Sequence, residues 1–120
     1  MIARSLAAAS LKPMVLAILD QEEEYGYRII QRIQGISKGD IEWTTGTLYP
    51  FLHGLENEGL VESHWRSVAN APRRKYYALT PMGDKAAAFE KQQWLRVSAM
   101  LSKLWGSEPS GQVALVPASS

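Results

Sequence analysis

The stretch from Thr44 to Leu60 constrains the fold most, because its apolar residues follow a helical repeat. Leu48, Phe51, Leu52 and Leu55 recur at i, i+3, i+4 and i+7, which places four apolar side chains on one face of a helix. The opposite face carries Thr47, Tyr49, Pro50, His53, Asn57 and Glu58. A short helix with one buried face and a small, hydroxyl-rich start is suited to lying in a groove.

The ends of this helix have their own signals. Thr44 or Thr45 can cap its start, because a hydroxyl accepts a hydrogen bond from the free N–H groups there. Gly59 stands where a left-handed residue ends a helix. Pro50 lies beyond the first turn, so we expect it to cost a backbone hydrogen bond and to kink the helix.

Length and composition predict one ordinary domain. The chain has 120 residues, of which 46% are hydrophobic, and it contains no cysteine, so a packed core can form and disulfides and thiolate metal sites are excluded. No apolar run reaches the roughly 18 residues of a membrane-spanning helix. The first ten residues are too weakly apolar for a signal peptide, and we expect a cytoplasmic protein.

Charge is distributed unevenly although the net charge is only +1. Between Leu60 and Thr80 four basic residues, namely Arg66, Arg73, Arg74 and Lys75, face a lone Glu62. That segment carries +3 and leaves −2 for the rest of the chain. The acidic residues cluster elsewhere, notably at Asp20 and at residues 22–24.

Two helices are predicted before Thr44. Pro13 suits the first turn of the first helix, whose apolar stripe consists of Leu11, Met14, Val15, Ile18 and Leu19. Residues 1–10 are interpreted as an extra helical turn or an arm. A second stripe of Tyr27, Ile30 and Ile33 predicts another short helix, with Gly35 as its terminator.

Arg28 and Arg32 share a face of the second helix at i, i+4. They are interpreted either as a solvated surface or as phosphate contacts, because a helix that supports a groove-binding helix often crosses the nucleic-acid backbone.

Three strands and a long helix complete the pattern. Residues 41–43 alternate and predict a very short strand. Residues 60–66 alternate as well, and the aromatic stretch 73–79 follows after a six-residue link, which indicates a hairpin. Thr80 and Pro81 then begin a helix that continues to Trp105, roughly 25 residues or ~37 Å at 1.5 Å per residue. Its many apolar groups favour a partner helix in another chain.

The fold class that follows is mainly α with a small β-hairpin, a winged helix-turn-helix with a long C-terminal helix. In this architecture the third helix enters the major groove and contacts base edges. The basic hairpin lies along the DNA backbone, where phosphate contacts supply most of the salt-dependent affinity.

Three motifs in this order resemble the PadR family of bacterial transcriptional regulators. They are YGYRIIQRI, GTLYPFLHGLENEGLVESHW and RRKYYALTPMG, and the resemblance extends from about Leu11 to Trp105. By this resemblance residues 46–50 match the recognition-helix motif, residues 73–77 match the wing, and Tyr25 and Tyr27 match the tyrosines that open the second helix. The resemblance implies a homodimeric repressor that binds a pseudo-palindromic operator.

The single C-terminal helix is similar to that of the compact subgroup of this family. The resemblance implies a dimer that can enclose a pore, in which planar aromatic or phenolic compounds stack on a tryptophan. Trp94 matches that position in its spacing from Gly83, and Val97 lies beside it, so these two residues are the candidate ligand site. The predicted dimer interface consists of Phe89, Trp94, Val97, Met100, Leu101, Leu104 and Trp105.

Several predicted site residues have alternative interpretations. The Tyr49 hydroxyl can donate to a phosphate, or its ring can pack against the wing, and the threonines can be caps or DNA contacts. His53 and His64 lack the partners of a metal site. The basic residues 73–75 can be a solvated edge, although clustering beside the third helix favours DNA. Trp94 and Trp105 can be dimer core instead of a ligand platform.

The residues predicted to contact DNA are Tyr25, Arg28, Thr44, Thr45, Thr47, Tyr49, Pro50, His53, Arg73, Arg74 and Lys75.

We therefore expect a ligand-responsive regulator with a DNA-binding domain at 1–80, a dimerisation helix at 81–105 and a disordered tail at 106–120. Its expected partners are duplex DNA, a second copy of the chain and a planar aromatic ligand, without membrane, metal or cofactor. The alternative is a winged-helix module that binds another protein. An enzyme is disfavoured, because no nucleophile with its base, glycine-rich phosphate loop or carboxylate pair is present.

Overall fold

A computed structural model describes residues 1–106 as four helices and a small antiparallel sheet. In chain order the elements are α1 (Arg4–Gln21), β1 (Glu24–Tyr25), α2 (Gly26–Ile36), α3 (Thr45–Asn57), β2 (Val61–Arg66), β3 (Arg74–Leu79) and α4 (Pro81–Trp105). This arrangement confirms the predicted winged helix-turn-helix with a long C-terminal helix. Apart from Gly106, which follows α4 in a turn, the predicted tail lies outside the described residues.

The chain divides into two compact units, of which the first comprises Met1–Ala87 and the second begins at Ala88. The core of the first unit is formed by the apolar faces of its three N-terminal helices and by the hairpin. The predicted stripe of α2 is only partly correct, because Ile29 and Ile33 are buried, whereas Tyr27 is 55% exposed. Its most completely buried side chains are Val15, Leu16, Ile29, Leu48, Leu52, Leu55 and Tyr77. The predicted stripe of α3 is confirmed, with Phe51 only partly buried at its margin.

Helix α1 begins earlier than the position of its proline indicates. It starts at Arg4 and carries Pro13 in its interior, so the prediction that Pro13 lies in the first turn is wrong. The preceding residues include three consecutive alanines, the strongest helix formers, and Ser10 and Leu11 are buried. Favourable propensity and packing on both sides of the proline therefore offset the hydrogen bond it removes.

The third strand is not where the sequence pattern places it. Residues 41–43 have no regular structure, and their alternation arises because Ile41 is buried while Glu42 is exposed. Instead, β1 pairs with β3, with Glu24 opposite Tyr77 and Tyr25 opposite Tyr76, and the sheet order is β1-β3-β2. A two-residue strand leaves no pattern in the sequence, because its stability comes from the neighbouring strand.

Turn and cap signals locate most of the helix ends correctly. Gly59 has a φ of +78°, and the Thr80 hydroxyl accepts a hydrogen bond from the Gly83 N–H at 3.0 Å, so both predicted signals are confirmed.

Gly35 does not terminate α2, which continues to Ile36 before a turn with positive φ at Lys38 and Gly39. Thr44 occupies the cap position of α3, but its hydroxyl donates to the Thr47 hydroxyl at 3.4 Å and caps no backbone N–H.

Candidate nucleic-acid interface

The N-terminal half of α3 presents an exposed face without formal charge. Its buried face holds Leu48 and Leu52, and several residues that flank these two leucines in the sequence are exposed. The exposed members of the predicted set here are Thr44, Thr45, Thr47, Pro50 and His53. Small hydroxyl and ring side chains of this kind allow close approach of the helix to base edges. The α3 helix spans both sides of Pro50, so the proline does not end this surface.

Tyr49 lies at the side of this face and is only partly exposed. Its ring packs on Gly26, the first residue of α2, so closely that a Cβ placed on Gly26 would lie 2.6 Å from the Tyr49 Cζ and 2.7 Å from its Oη. The glycine thus makes room for the tyrosine. Gly26 is not among the predicted site residues, although its position between two tyrosines was the available signal.

The wing carries its cations on aromatic rings. The Arg74 guanidinium lies 4.5 Å from the ring centre of Tyr25, and that of Arg73 lies 5.4 Å from the ring centre of Trp65. The Lys75 ammonium is 5.8 Å from the ring centre of Tyr77. Each cation–π contact restrains a long side chain, so the positive charges of the wing are held in place beside the sheet.

These groups meet in one cleft of about 360 Å³ between the wing and the starts of α2 and α3. It brings together six of the residues predicted to contact DNA, and it adds Tyr27, Trp65 and Tyr77, which the prediction omitted. The lining residues are Tyr25, Tyr27, Tyr49, His53, Trp65, Arg73, Arg74, Lys75 and Tyr77. The cleft combines basic groups with phenolic hydroxyls, and both kinds of group can donate hydrogen bonds to phosphate oxygens.

Burial raises the pKa of the Tyr77 phenol above its ordinary value, and the nearby Glu56 and Tyr49 add to the effect. The residue is almost fully buried. Tyr77 therefore remains neutral beside Lys75, and the positive charge of the cleft is not reduced by ionisation of this hydroxyl at neutral pH.

The two arginines of α2 differ in their surroundings. Arg28 is exposed and remains a candidate for a phosphate contact. Arg32 is instead held inside the first unit, because its Nη2 donates to the Gln21 side chain and its Nη1 lies 3.9 Å from the Glu24 carboxylate. Desolvation raises the pKa of Glu24, which Glu22 raises further, while Arg28 and Arg32 act against this shift. The phosphate interpretation of the shared face thus applies to Arg28 alone.

Other chemistries find little support in the described part of the chain. Among residues 1–106 no three histidine, aspartate or glutamate side chains gather as metal ligands. None of the helices within that range combines the length and the apolar character that a bilayer crossing requires.

The second unit exposes an apolar surface on α4. Along it Trp94, Val97, Leu101 and Leu104 follow one another at spacings of three and four residues, which places them on one side of the helix. All seven residues predicted for the dimer interface are exposed, from 37% for Leu101 to 81% for Leu104. Trp94 is 38% exposed and lies on this stripe next to Val97.

The fold, together with the exposed face of α3 and the basic cleft beside it, defines a class of protein, the winged-helix regulators. Comparison with known proteins supports this class. Residues 15–88 match the model of the transcriptional regulator PadR-like family. A transcriptional regulator of Mycobacterium tuberculosis is 33% identical over 89 residues, which cover 74% of this chain and 79% of that protein.

Solved structures give the same result. A PadR-like transcriptional regulator from Bacillus cereus has a TM-score of 0.77 and 29% identity, over 87% of this chain and 99% of that chain. A Streptococcus transcriptional regulator has a TM-score of 0.73 and 28% identity, over 86% of this chain and 98% of that one. The chain belongs to the PadR-like family of transcriptional regulators, as the sequence motifs indicated.

Proposed function

We propose that the protein is a repressor that binds a pseudo-palindromic operator as a homodimer. The observation that carries this proposal is the position of the basic cleft beside the exposed, uncharged face of α3. In this arrangement α3 enters the major groove with Thr44, Thr45, Thr47, Pro50 and His53, while the wing follows the DNA backbone. The site of action is the bacterial cytoplasm, where the DNA is.

The phosphate contacts come from the cleft and its rim. Arg73, Arg74 and Lys75 supply the charge, and Tyr25 and Tyr49 supply hydroxyl groups, with Arg28 on the neighbouring helix. Contacts of this kind position the protein and make its affinity depend on salt. Sequence preference then arises from the residues of α3, because only base edges in the groove distinguish the base pairs.

Dimerisation occurs through α4. Its exposed stripe at residues 94–105, with Phe89 and Met100 at the margin, is larger than the isolated apolar side chains that a monomer ordinarily exposes. Two copies related by a two-fold axis bury this stripe and place two recognition helices on a symmetric operator. In functional terms residues 1–80 bind DNA and residues 81–105 join the two copies.

A planar aromatic or phenolic compound is the effector in this proposal. A two-fold axis near Trp94 places two indole rings across from each other, with Val97 beside them, and flat compounds stack on such rings. The ligand acts by binding one dimer conformation more tightly than another and so changes the spacing of the recognition helices. No catalytic step is part of this function.

DNA binding by the purified protein tests the proposal, with Arg74→Ala as the diagnostic variant and Lys85→Ala, an exposed basic residue at the start of α4, as the matched control. Affinity for duplexes of mixed sequence is measured over a series of salt concentrations. We expect Arg74→Ala to bind all duplexes more weakly and to lower the salt slope by about 0.9, the value for one lost phosphate contact.

Lys85→Ala is expected to retain both the affinity and the slope of the natural protein. If Arg74→Ala matches this control at every salt concentration, the wing does not contact phosphates. If the natural protein shows no salt-dependent affinity for duplex DNA, the winged helix serves instead to bind another protein.

A further inference from the structure

A carboxylate beside the sheet contacts two side chains of β2. Glu23, just before β1, reaches across to β2, where its Oε2 lies 3.4 Å from the His64 Nε2 and its Oε1 accepts a hydrogen bond from the Arg66 Nη1. These residues are 41 and 43 positions apart in the chain. The order of the sheet brings them together, because β3 pairs with β1 on one side and with β2 on the other.

Arg66 occupies the end of β2 directly opposite Arg74. Like charges in this relation repel each other. The Arg66 guanidinium is drawn away along the sheet instead, where it lies 4.5 Å from the ring centre of Tyr76 and meets Glu23. Arg74, in contrast, turns to Tyr25 and lines the cleft. Arg66 is absent from the residues that line that cleft.

We propose that Glu23 is a positioning residue that withholds Arg66 from DNA and thereby limits the sequence-independent affinity of the wing. This inference rests on the proposed DNA-binding function. The hairpin of β2 and β3, with the residue before β3, has four basic residues, but only Arg73, Arg74 and Lys75 line the cleft, while the carboxylate binds Arg66. Removal of the carboxylate charge releases Arg66 toward the nearest available anion, which in the complex is a DNA phosphate.

The physical effect is on the balance between non-specific and specific binding. Each basic side chain that contacts a phosphate releases counterions and strengthens binding to every sequence equally. A regulator that must find one site among many gains nothing from this added affinity, because specificity is a difference between affinities. By binding Arg66 within the protein, the Glu23 carboxylate therefore lowers the affinity for all sequences and favours discrimination between specific and non-specific sites.

The diagnostic variant is Glu23→Gln, which keeps the size of the side chain and removes its charge. Its matched control is Glu22→Gln, which makes the same change of net charge at the adjacent exposed residue. Two further variants are Arg66→Ala and the double variant Glu23→Gln/Arg66→Ala. The probe is a fluorescent duplex of mixed sequence, titrated between about 50 and 200 mM salt, where each phosphate contact changes affinity about 3-fold.

We expect Glu23→Gln to bind this duplex more tightly at low salt than Glu22→Gln and to show a salt slope steeper by about 0.9. The double variant is expected to return to the slope of the natural protein. Arg66→Ala alone is expected to leave that slope unchanged, because the arginine already has a partner within the protein. Thermal unfolding of each variant, measured in parallel, separates altered binding from altered stability.

Equal slopes for Glu23→Gln and Glu22→Gln would overturn the inference. So would an Arg66→Ala variant that loses as much slope as Arg74→Ala, because Arg66 would then contact DNA in the natural protein. Failure of the proposed function gives a different result, in which neither the natural protein nor any variant binds the duplex in a salt-dependent way.

Discussion

The Tyr49 ring occupies the space that a side chain at position 26 would fill. A Cβ on Gly26 would approach the Tyr49 Cζ and Oη to 2.6 and 2.7 Å, well inside contact distance. The first residue of α2 thus determines where a hydroxyl of α3 is held. Because the same tyrosine lines the cleft beside the wing, a glycine with no functional group of its own controls the geometry of the proposed DNA surface.

Gly26→Ala is expected to weaken DNA binding without unfolding the protein. The added methyl displaces the ring end of Tyr49, while alanine in a helix is favoured over glycine by about 1 kcal/mol. We expect a loss of roughly 10-fold in affinity, the value of one hydrogen bond to a charged group. Gly35→Ala, in the same helix with no atom within 4 Å of the new Cβ, is the control and should bind normally.

Tyr49→Phe separates the two interpretations of this tyrosine. If the hydroxyl donates to a phosphate, this variant should lose affinity by about the same factor as Gly26→Ala. If its affinity equals that of the natural protein, Tyr49 acts only by packing.

Leu101→Glu is expected to convert a dimer into a monomer. The leucine lies on the exposed stripe of α4, and burying a carboxylate without a partner costs several kcal/mol, which weakens association by more than about 100-fold. Sedimentation equilibrium measures the change. Leu95→Glu is the matched control, since Leu95 is exposed on the same helix but off the stripe. A Leu101→Glu protein that sediments as a dimer would show that the copies associate elsewhere.

Trp94→Ala is expected to abolish saturable quenching of tryptophan fluorescence by planar aromatic and phenolic compounds. The chain has four tryptophans, so only a variant assigns the signal to one of them. Trp65→Ala, in β2 and outside the stripe of α4, should retain the quenching. Quenching that persists in Trp94→Ala with unchanged affinity would remove this residue from the ligand site, and no quenching in the natural protein would indicate a dimer regulated in another way.

Gly83→Ala and Gly54→Ala are expected to change stability in opposite directions. A Cβ at Gly83 would lie 1.9 Å from the Leu60 carbonyl oxygen, so the backbone must move and we expect a loss of at least about 2 kcal/mol. Gly54 has open space around it within α3, and alanine there should stabilise the protein by about 0.5–1 kcal/mol. Urea unfolding monitored by circular dichroism compares the two, and equal midpoints would contradict the close approach at Gly83.

Much of the architecture could be predicted because its signals are local. The stripe at Leu48, Leu52 and Leu55 identified α3 and its buried side, and Gly59 and Thr80 marked boundaries through their own backbone geometry and hydroxyl chemistry. The basic residues 73–75 were recognised by their clustering. Local signals misled where packing overrides them, as at Pro13, which lies inside α1, and at residues 41–43, whose alternation reflects burial without strand pairing.

By itself, therefore, the sequence determined the apolar repeat of α3, the hairpin, the Thr80 cap and the family motifs, since each depends on residues within a few positions of one another. Only the tertiary structure decided which polar groups are free. It pairs Arg32 with Gln21 and Glu24, seats Tyr49 on Gly26, and brings Glu23 to Arg66 across 43 positions of chain. These contacts depend on sheet register and helix packing, which arise from the burial of the whole core and leave no periodic trace in the residues that make them.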